Sequence, residues 1–175
     1  MITPVSVTVD IGGTNTRVAL CDGGEVLTGT IQRYRNAEHP GLEPILDSYL
    51  SAYPLVGAIC IDMAGPVKDG VGTLTNLDWT IDARALSART GGARVVVLND
   101  LQAQGHSVPH LDAGSLLTLM PGQPAPSDVR LVVNVGTGLN AVPVHTSGTL
   151  TLVPAAEAGH ITLQARDAEE LQIGR

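Results

Sequence analysis

The sequence Asp10-Ile11-Gly12-Gly13-Thr14-Asn15-Thr16-Arg17 decides the fold, because it places two glycines between two strand-like segments. Residues 5–11 alternate and are rich in β-branched side chains, and residues 16–21 repeat the pattern, so both predict strands. A glycine pair lets the backbone approach a ligand closely, and consecutive N–H groups can hold phosphate oxygens. Asp10 ends the first strand and offers the oxygen ligands that hydrated Mg²⁺ prefers. The same residues also fit an ordinary hairpin with a capping aspartate.

This turn differs from the two common nucleotide-binding motifs. It lacks GxGxxG and a strand follows it rather than a helix, which excludes the Rossmann fingerprint. It also lacks the lysine of a P-loop, since Lys68 is the only lysine in the chain. The stretch therefore predicts a phosphate-binding hairpin of another class.

The segments on both sides predict an α/β protein. Residues 25–34 continue as a third strand, and apolar residues at helical spacing predict a helix over 40–53. Further helices are predicted over 82–90, over 101–108 and from residue 167. Residues 55–63, 94–98 and 131–135 are nearly continuous apolar runs, which is typical of buried strands, and 141–145 with 149–153 predict a hairpin. Residues 111–128 contain the loosest stretch, so we place a domain boundary near residue 110.

Asn99-Asp100 follows the apolar strand of residues 94–98, at the end where open α/β sheets bind ligands. Its carboxylate could accept a proton from a substrate hydroxyl, or the pair could cap the next helix. Asn76 stands in a polar turn with Trp79, the only tryptophan of the chain. An asparagine there offers a donor and an acceptor to a sugar hydroxyl, while a turn with the indole covering the core is the alternative.

Two further polar turns lie in the C-terminal third. Gly136-Thr137-Gly138-Leu139-Asn140 repeats the glycine and threonine pattern after a strand, and it predicts either a second phosphate loop or a plain hairpin. Glu157 and His160 are three residues apart with a glycine between them, and they can converge on one polar ligand. Surface positions for both side chains are the alternative.

Composition narrows the classes of protein that fit. Apolar residues make up 43% of the 175 residues, which excludes a disordered chain. The net charge is −7 without a basic run, so nucleic acid is not an expected partner. No leader and no long apolar run is present, so we expect no membrane association and a cytoplasmic location. Cys21 and Cys60 are expected to be buried free thiols.

The order of the motifs DIGGTNTR, AGPV–DG, TNLDW, LNDLQAQG, VGTGLN and EAGH, between residues 10 and 160, resembles that of bacterial glucokinases of the hexokinase/actin-like ATPase superfamily. The resemblance implies an α/β actin-like ATPase (ribonuclease H-like) fold with a complete first lobe and the start of a second. The first lobe, residues 1–110, would carry the first phosphate motif and the catalytic aspartate. Residues 111–175 would begin the large lobe.

The resemblance also implies roles for individual residues. Asp100 would be the catalytic base, and Asp10 would act on Mg²⁺ through water. ATP phosphates would be bound by residues of both glycine turns, namely Gly12, Gly13, Thr14, Asn15, Gly136, Thr137 and Gly138. Sugar hydroxyls would be bound by Asn76, Asn99, Asp100, Glu157 and His160. Asn140 departs from the family, which usually has glycine there, and this departure puts the second phosphate loop in doubt.

The implied function is ATP- and Mg²⁺-dependent phosphorylation of the glucose 6-hydroxyl at the entry of glycolysis, by an enzyme that is a homodimer at full length. Phosphorylation of another hexose or an N-acetylhexosamine is an alternative, and so is a non-catalytic sugar-binding fragment. Family members continue beyond Arg175 with a further sugar-contacting glutamate and the adenosine pocket. We therefore expect the 175-residue chain alone to bind ATP weakly, to turn over slowly or not at all, and to self-associate through exposed aliphatic patches.

Overall fold

The computed structural model describes residues 5–54, 56–74, 76–123, 129–135, 139–156 and residue 158. Within them lie three α-helices: α1 (Leu42–Ala52), α2 (Ala83–Arg89) and α3 (Asp100–Ser107). The strands are β1 (Ser6–Ile11), β2 (Asn15–Asp22), β3 (Glu25–Val26), β4 (Gln32–Arg35), β5 (Ala58–Met63), β6 (Val67–Lys68), β7 (Val71–Thr73), β8 (Thr80–Asp82), β9 (Arg94–Asn99), β10 (Val129–Val135), β11 (Leu139–Ser147) and β12 (Leu150–Leu152).

The central sheet has six strands in the order β3-β2-β1-β5-β9, with β4 also paired to β2. Strands β1, β5 and β9 are parallel, whereas β2 returns antiparallel to β1 through the glycine turn. The predicted strand–turn–strand opening is therefore confirmed. Because the three parallel strands share a direction, their carboxyl ends lie at one edge of the sheet, which we call the carboxyl edge.

Burial of one sheet face builds the main core. Helix α1 contributes Ile45, Leu46 and Tyr49, whose spacing places them on one face of the helix. They pack in one cluster with sheet residues such as Val9 and Ile61, both fully buried. Helix α2 begins where its sequence predicts, because the Asp82 carboxylate accepts hydrogen bonds from two backbone N–H groups of the first turn.

The third predicted strand, residues 25–34, is interrupted, and that prediction was wrong in this respect. A 3₁₀ turn at Thr28–Thr30 separates β3 from β4, although both pair with β2. The Thr30 hydroxyl accepts a hydrogen bond of 3.0 Å from the Leu20 backbone N–H, which replaces the missing ladder bond. The threonine side chain thus lets β2 remain continuous while its partner strand breaks.

Strands β10, β11 and β12 form a second antiparallel sheet, which packs on helix α3. The contact joins Leu101 of the helix to buried valines of the sheet side, such as Val142 and Val144. A Cβ at Gly105 would lie 2.6 Å from Val153 Cγ1, so only glycine lets the helix approach this closely. Helix α3 therefore connects the carboxyl edge of the central sheet to the second sheet.

The opposite face of the second sheet is apolar and exposed, and we call it the outer face. The β10 register places Leu131, Val133 and Val135 on this face, beside Leu150 and Leu152. Leu131 is 66% exposed and Val135 is 79% exposed. The prediction that residues 131–135 form a strand is confirmed, but the prediction that this strand is buried was wrong.

Two smaller expectations meet different outcomes. Both cysteines are free, but Cys60 is exposed and Cys21 is half-buried, so the prediction of buried thiols was wrong. Cys60 lies on the sheet face opposite to the main core, which explains its exposure. In the part of the chain that the structure describes, no helix has the length and apolar character needed to cross a membrane. The domain boundary near residue 110 stays a prediction.

Candidate active site

Three of the predicted motifs meet at the carboxyl edge. Asp10 of β1 stands opposite Asp62 of β5, and Met63 of β5 stands opposite Asn99 of β9. The Ala64 backbone N–H donates to the Ile11 carbonyl at 3.3 Å, which joins the loop after β5 to the glycine turn. Motifs separated by about 90 residues in the sequence therefore share one edge, where open α/β sheets bind ligands.

The glycine turn presents unused backbone donors. The Gly12 N–H donates to the Asn15 carbonyl at 3.0 Å, so this group closes the turn. The N–H groups of Gly13 and Thr14 form no hydrogen bond with any residue that the structure describes, and both residues are exposed. Two adjacent N–H groups without a described partner are donors of the kind that bind phosphate oxygens.

A buried asparagine that the sequence analysis missed holds this turn. Asn36 is 1% exposed, and its Nδ2 donates to the Gly12 carbonyl at 2.8 Å. Its Oδ1 accepts from the Thr16 hydroxyl at 2.8 Å, and its backbone N–H donates to the Thr14 carbonyl at 3.0 Å. No local signal marks Asn36, because its role depends on the pairing of β4 with β2.

Asn76 lies beside the turn. It is exposed, and its Nδ2 is 3.8 Å from the position that a Cβ would take on Gly13. Trp79, three residues later, is 5% exposed and belongs to the main core. The indole thus covers the core, as the alternative interpretation predicted, while the amide of Asn76 has no hydrogen bond to a described residue and lies beside the glycine turn.

Asn99 and Asp100 lie at the start of helix α3, and the predicted helix cap is supplied by Asn99. Asn99 is buried and caps helix α3, because its Oδ1 accepts from the Leu101 N–H at 2.9 Å. Its Nδ2 donates to the Gly65 carbonyl at 3.0 Å, which ties the loop after β5 to the start of the helix. Asp100 begins α3, is half-buried, and uses Oδ1 to accept from the Leu101 N–H at 2.7 Å. Its second carboxylate oxygen makes no hydrogen bond within the described residues.

Asp62 is a second residue that the sequence analysis missed. Its pKa is raised to about 7, first by burial and then by the negative charges of Asp10 and Asp100. Asp10 itself pairs with Arg17, whose Nη1 lies 3.0 Å from Oδ2. The signal was an acidic residue inside an apolar strand, at the position that faces Asp10 across the sheet.

The remaining predicted site residues lie outside the described residues. These are Gly136, Thr137, Gly138, Glu157 and His160. Asn140 is described: its Oδ1 accepts from the Ala141 N–H at 2.9 Å and its Nδ2 donates to the Ala156 carbonyl at 3.3 Å. Across the ranges that are described, no group of three His, Cys, Asp or Glu side chains has a metal-binding arrangement.

Comparisons with known proteins bear on the family of this chain. A family model described as glucokinase matches residues 7–175. The chain is 33% identical over 163 residues to the glucokinase of Pectobacterium atrosepticum, covering 92% of this chain and 50% of that protein. It thus spans about half the length of such curated relatives.

Solved structures give the same result for the fold. Glucokinase from an Antarctic psychrotroph superposes with a TM-score of 0.80 at 27% identity, covering 98% of this chain and 55% of that one. A ROK family glucokinase from Streptomyces griseus, in complex with glucose and AMPPNP, gives a TM-score of 0.57 at 27% identity and covers 91% and 51%. The chain has the α/β actin-like ATPase fold, and it belongs to the glucokinase family.

Proposed function

We propose that the protein to which this chain belongs transfers the terminal phosphate of ATP to the 6-hydroxyl of glucose. One observation carries the proposal: the free N–H groups of Gly13 and Thr14, the free amide of Asn76 and the carboxylate of Asp100 occupy the same edge of one sheet. Phosphoryl transfer needs donors for the phosphates and a carboxylate for the hydroxyl, and these residues supply both. The glucokinase of S. griseus, which binds glucose and an ATP analogue, supports this choice of substrates.

Asp100 is the residue proposed to act on the sugar. Its free carboxylate oxygen can accept a hydrogen bond from the 6-hydroxyl and then its proton as the new P–O bond forms. The hydrogen bond from the Leu101 N–H holds the other oxygen, and the capping box of Asn99 and Gln102 fixes the start of the helix. The carboxylate is therefore held in one orientation before substrate arrives, which lowers the entropic cost of the reaction.

The phosphate side rests on the glycine turn and on Asp10. Mg²⁺ is bound mainly by carboxylate oxygens and water, and the carboxylates of Asp10 and Asp100 both lie near enough to Asp62 to raise its pKa. This donor set fits an ion held through water, with Asp10 as its principal carboxylate. When bound, the ion supplies positive charge to the phosphates. The N–H groups of Gly13 and Thr14 orient the same phosphates from the turn.

Sugar recognition is proposed for Asn76 first, because its amide has no partner within the described residues. Asn99 has both polar side-chain atoms in use, so it contacts a sugar only through the remaining lone pair of Oδ1. The contacts of Glu157 and His160 stay predictions. A buried set of polar groups rejects a sugar that lacks one hydroxyl, because a group of the protein then stays unpaired.

The test joins residues 1–175 to the C-terminal half of P. atrosepticum glucokinase and measures ATP-dependent glucose phosphorylation. We expect Asp100→Asn to lower kcat by about 10³-fold or more, within the range for loss of a general base, while the calorimetric Kd for glucose changes by less than about threefold. Asp112→Asn makes the same chemical change in an exposed loop and should leave kcat unchanged.

Near-normal turnover of Asp100→Asn would contradict the catalytic assignment. Glucose binding is also measured on the 175-residue chain itself, so a fusion that does not fold still leaves a test. Binding of N-acetylglucosamine in preference to glucose would favour the N-acetylhexosamine alternative. A fusion that binds glucose without turnover would favour a non-catalytic sugar-binding fragment. The homodimer, the cytoplasmic location and the absence of nucleic acid and membrane partners stay predictions.

A further inference from the structure

Three arginines share one face of the strand pair next to the glycine turn. In the register of β2 with β4, Arg35 stands opposite Asn15 and Arg33 stands opposite Arg17. Residues two apart on a strand point to the same face, so all four side chains project from one side. The chain has only 10 basic residues and a net charge of −7, so three guanidinium groups here form a local reversal of charge.

Two of these arginines have no partner among the residues that the structure describes. Arg17 forms an ion pair with Asp10, but Arg33 and Arg35 form no ion pair or side-chain hydrogen bond with any residue in the described ranges. Both are exposed. Two unpaired guanidinium groups on neighbouring positions of one strand repel each other, and an anion between them removes this repulsion.

A cavity of about 540 Å³ lies at these side chains, and its lining residues are Thr14, Asn15, Arg33, Arg35 and Ala37. This volume lies within the range typical of small-molecule sites. The cavity begins at the glycine turn, because Thr14 and Asn15 form one wall. The Asn36 backbone N–H donates to the Thr14 carbonyl at 3.0 Å, so the end of β4 is held against the turn.

We propose that this cavity binds a condensed phosphate chain, with Arg33 and Arg35 as its charged contacts. Guanidinium groups bind phosphate oxygens through two parallel hydrogen bonds, which suits arginine better than lysine for this ligand. The two arginines are about 6.6 Å apart along the strand, and the free N–H groups of Gly13 and Thr14 extend the row of donors. A row of donors matches a linear chain of phosphates better than a single phosphate group.

The chemistry has two sources, the triphosphate of a nucleotide or an inorganic polyphosphate. The inference rests on the proposed function in one respect, since the turn that bounds the cavity is the turn assigned to ATP phosphates. The arginine contacts themselves lie on β4, outside the residues assigned to sugar or to catalysis. Their loss therefore separates this site from the proposed sugar site.

The experiment is calorimetric titration of the 175-residue chain with orthophosphate, tripolyphosphate, a longer polyphosphate and ATP, at fixed ionic strength and with EDTA present. We expect tripolyphosphate to bind at least tenfold more tightly than orthophosphate. The double variant Arg33→Gln/Arg35→Gln should weaken tripolyphosphate binding at least tenfold. The control Arg84→Gln/Arg94→Gln removes the same charge from two other exposed arginines and should change the affinity less than twofold.

Each outcome decides the proposal. If the double variant loses affinity equally for ATP and for tripolyphosphate, the cavity is assigned to the phosphates of a nucleotide. If it loses affinity for the inorganic chains alone, the cavity is assigned to polyphosphate. Both results support a condensed phosphate. The proposal is overturned if no chain binds, if orthophosphate binds equally well, or if the control variant loses as much affinity. Glucose is titrated under the same conditions. If tripolyphosphate binds and glucose does not, only the proposed function is contradicted. If glucose binds and tripolyphosphate does not, only this inference is contradicted.

Discussion

The central sheet and the sheet of β10 to β12 differ in what covers their faces. The central sheet buries Val9 and Ile61 completely on one face, and its other face carries polar groups such as Asp10 and Asp62. The second sheet buries Val142 and Val144 against α3, but its outer face is apolar as well. The central sheet thus has one apolar, buried face and one polar face, whereas both faces of the second sheet carry apolar side chains.

The central sheet therefore contributes to the stability of the fold, whereas the outer face of the second sheet offers a surface for association. Burial of one face by α1 and α2 gives the central sheet a core of its own, so its polar face is free to carry chemistry. The outer face of the second sheet has seven exposed apolar side chains: Val129, Leu131, Val133, Val135, Leu139, Leu150 and Leu152. Their combined exposed area is on the order of the ~800 Å² that each partner contributes to a standard interface. The expectation of exposed aliphatic patches is confirmed, while self-association stays a prediction.

The largest loss of stability is expected from a matched pair of valines, each fully buried in one of the two cores. Val9→Ala should lower the free energy of unfolding by about 2–3 kcal/mol, from two lost methyl groups and the cavity they leave. It should speed amide hydrogen exchange in β1 and β5. Val144→Ala should speed exchange in β10 to β12 alone. If Val144→Ala speeds exchange in β1 as much as in β10 to β12, the two sheets unfold as one unit.

The next effect concerns the polar support of the central sheet's edge. Asn36→Ala should cost about 2 kcal/mol in urea unfolding, because it leaves the Thr16 hydroxyl and the Gly12 carbonyl without their buried partner. Asn76→Ala makes the same change at an exposed position and should stay within about 0.5 kcal/mol of the parent. Equal stability of the two variants would show that Asn36 does not hold the turn.

The polar face of the central sheet is tested by the pH dependence of the free energy of unfolding. The pKa of Asp62 is raised to about 7 in the folded chain against 3.8 as its ordinary value. The folded state then holds this proton more tightly than the unfolded state, so stability falls as the pH rises from about 4 to 7. Asp62→Asn should remove this loss and raise the free energy of unfolding at pH 8 by up to about 4 kcal/mol, because a tenfold change in proton affinity is worth about 1.4 kcal/mol.

At pH 3 the Asp62→Asn variant should match the parent, because Asp62 is then neutral in both states. Asp112→Asn is the control, since it removes one carboxylate from an exposed loop. The measurement is urea unfolding at both pH values with EDTA present. If the variant and the parent differ in free energy of unfolding by the same amount at pH 3 and at pH 8, the raised pKa of Asp62 is contradicted.

The smallest effect on stability is expected at the outer face. Leu131→Gln/Leu150→Gln should change the free energy of unfolding by less than about 0.5 kcal/mol, because both side chains are already exposed. Sedimentation velocity should show concentration-dependent association for the parent chain and a monomer for this variant. The control Val26→Gln/Leu27→Gln changes exposed apolar residues at the end of β3 and just after it, and should leave association intact. A monomeric parent chain would contradict the prediction.

Local patterns predicted most of the architecture. Alternation located β1 and β2, helical spacing located α1, and Asp82 marked the start of α2, because each signal acts within a few residues. The features that were missed depend on pairing between distant segments. Asn36 acquires its role only when β4 meets β2, and Asp62 only when β5 lies beside β1.

Burial of the second sheet was misjudged for a related reason. An apolar run of residues 131–135 predicts a strand that prefers cover, but not which segment supplies it. The candidate site follows the same rule: the turn, Asn76 and the Asn99–Asp100 pair were recognised from their motifs. How Asn99 divides its hydrogen bonds between helix cap and loop required the tertiary structure.

The burial of Trp79 in the main core has a spectroscopic consequence. The chain has one tryptophan, three tyrosines and no phenylalanine, and all four aromatic residues precede residue 80. Intrinsic fluorescence and near-ultraviolet circular dichroism therefore report on the central sheet and are silent for β10 to β12. A single sharp fluorescence transition would describe only the core of the central sheet. A tryptophan placed on the second sheet would give that sheet its own signal.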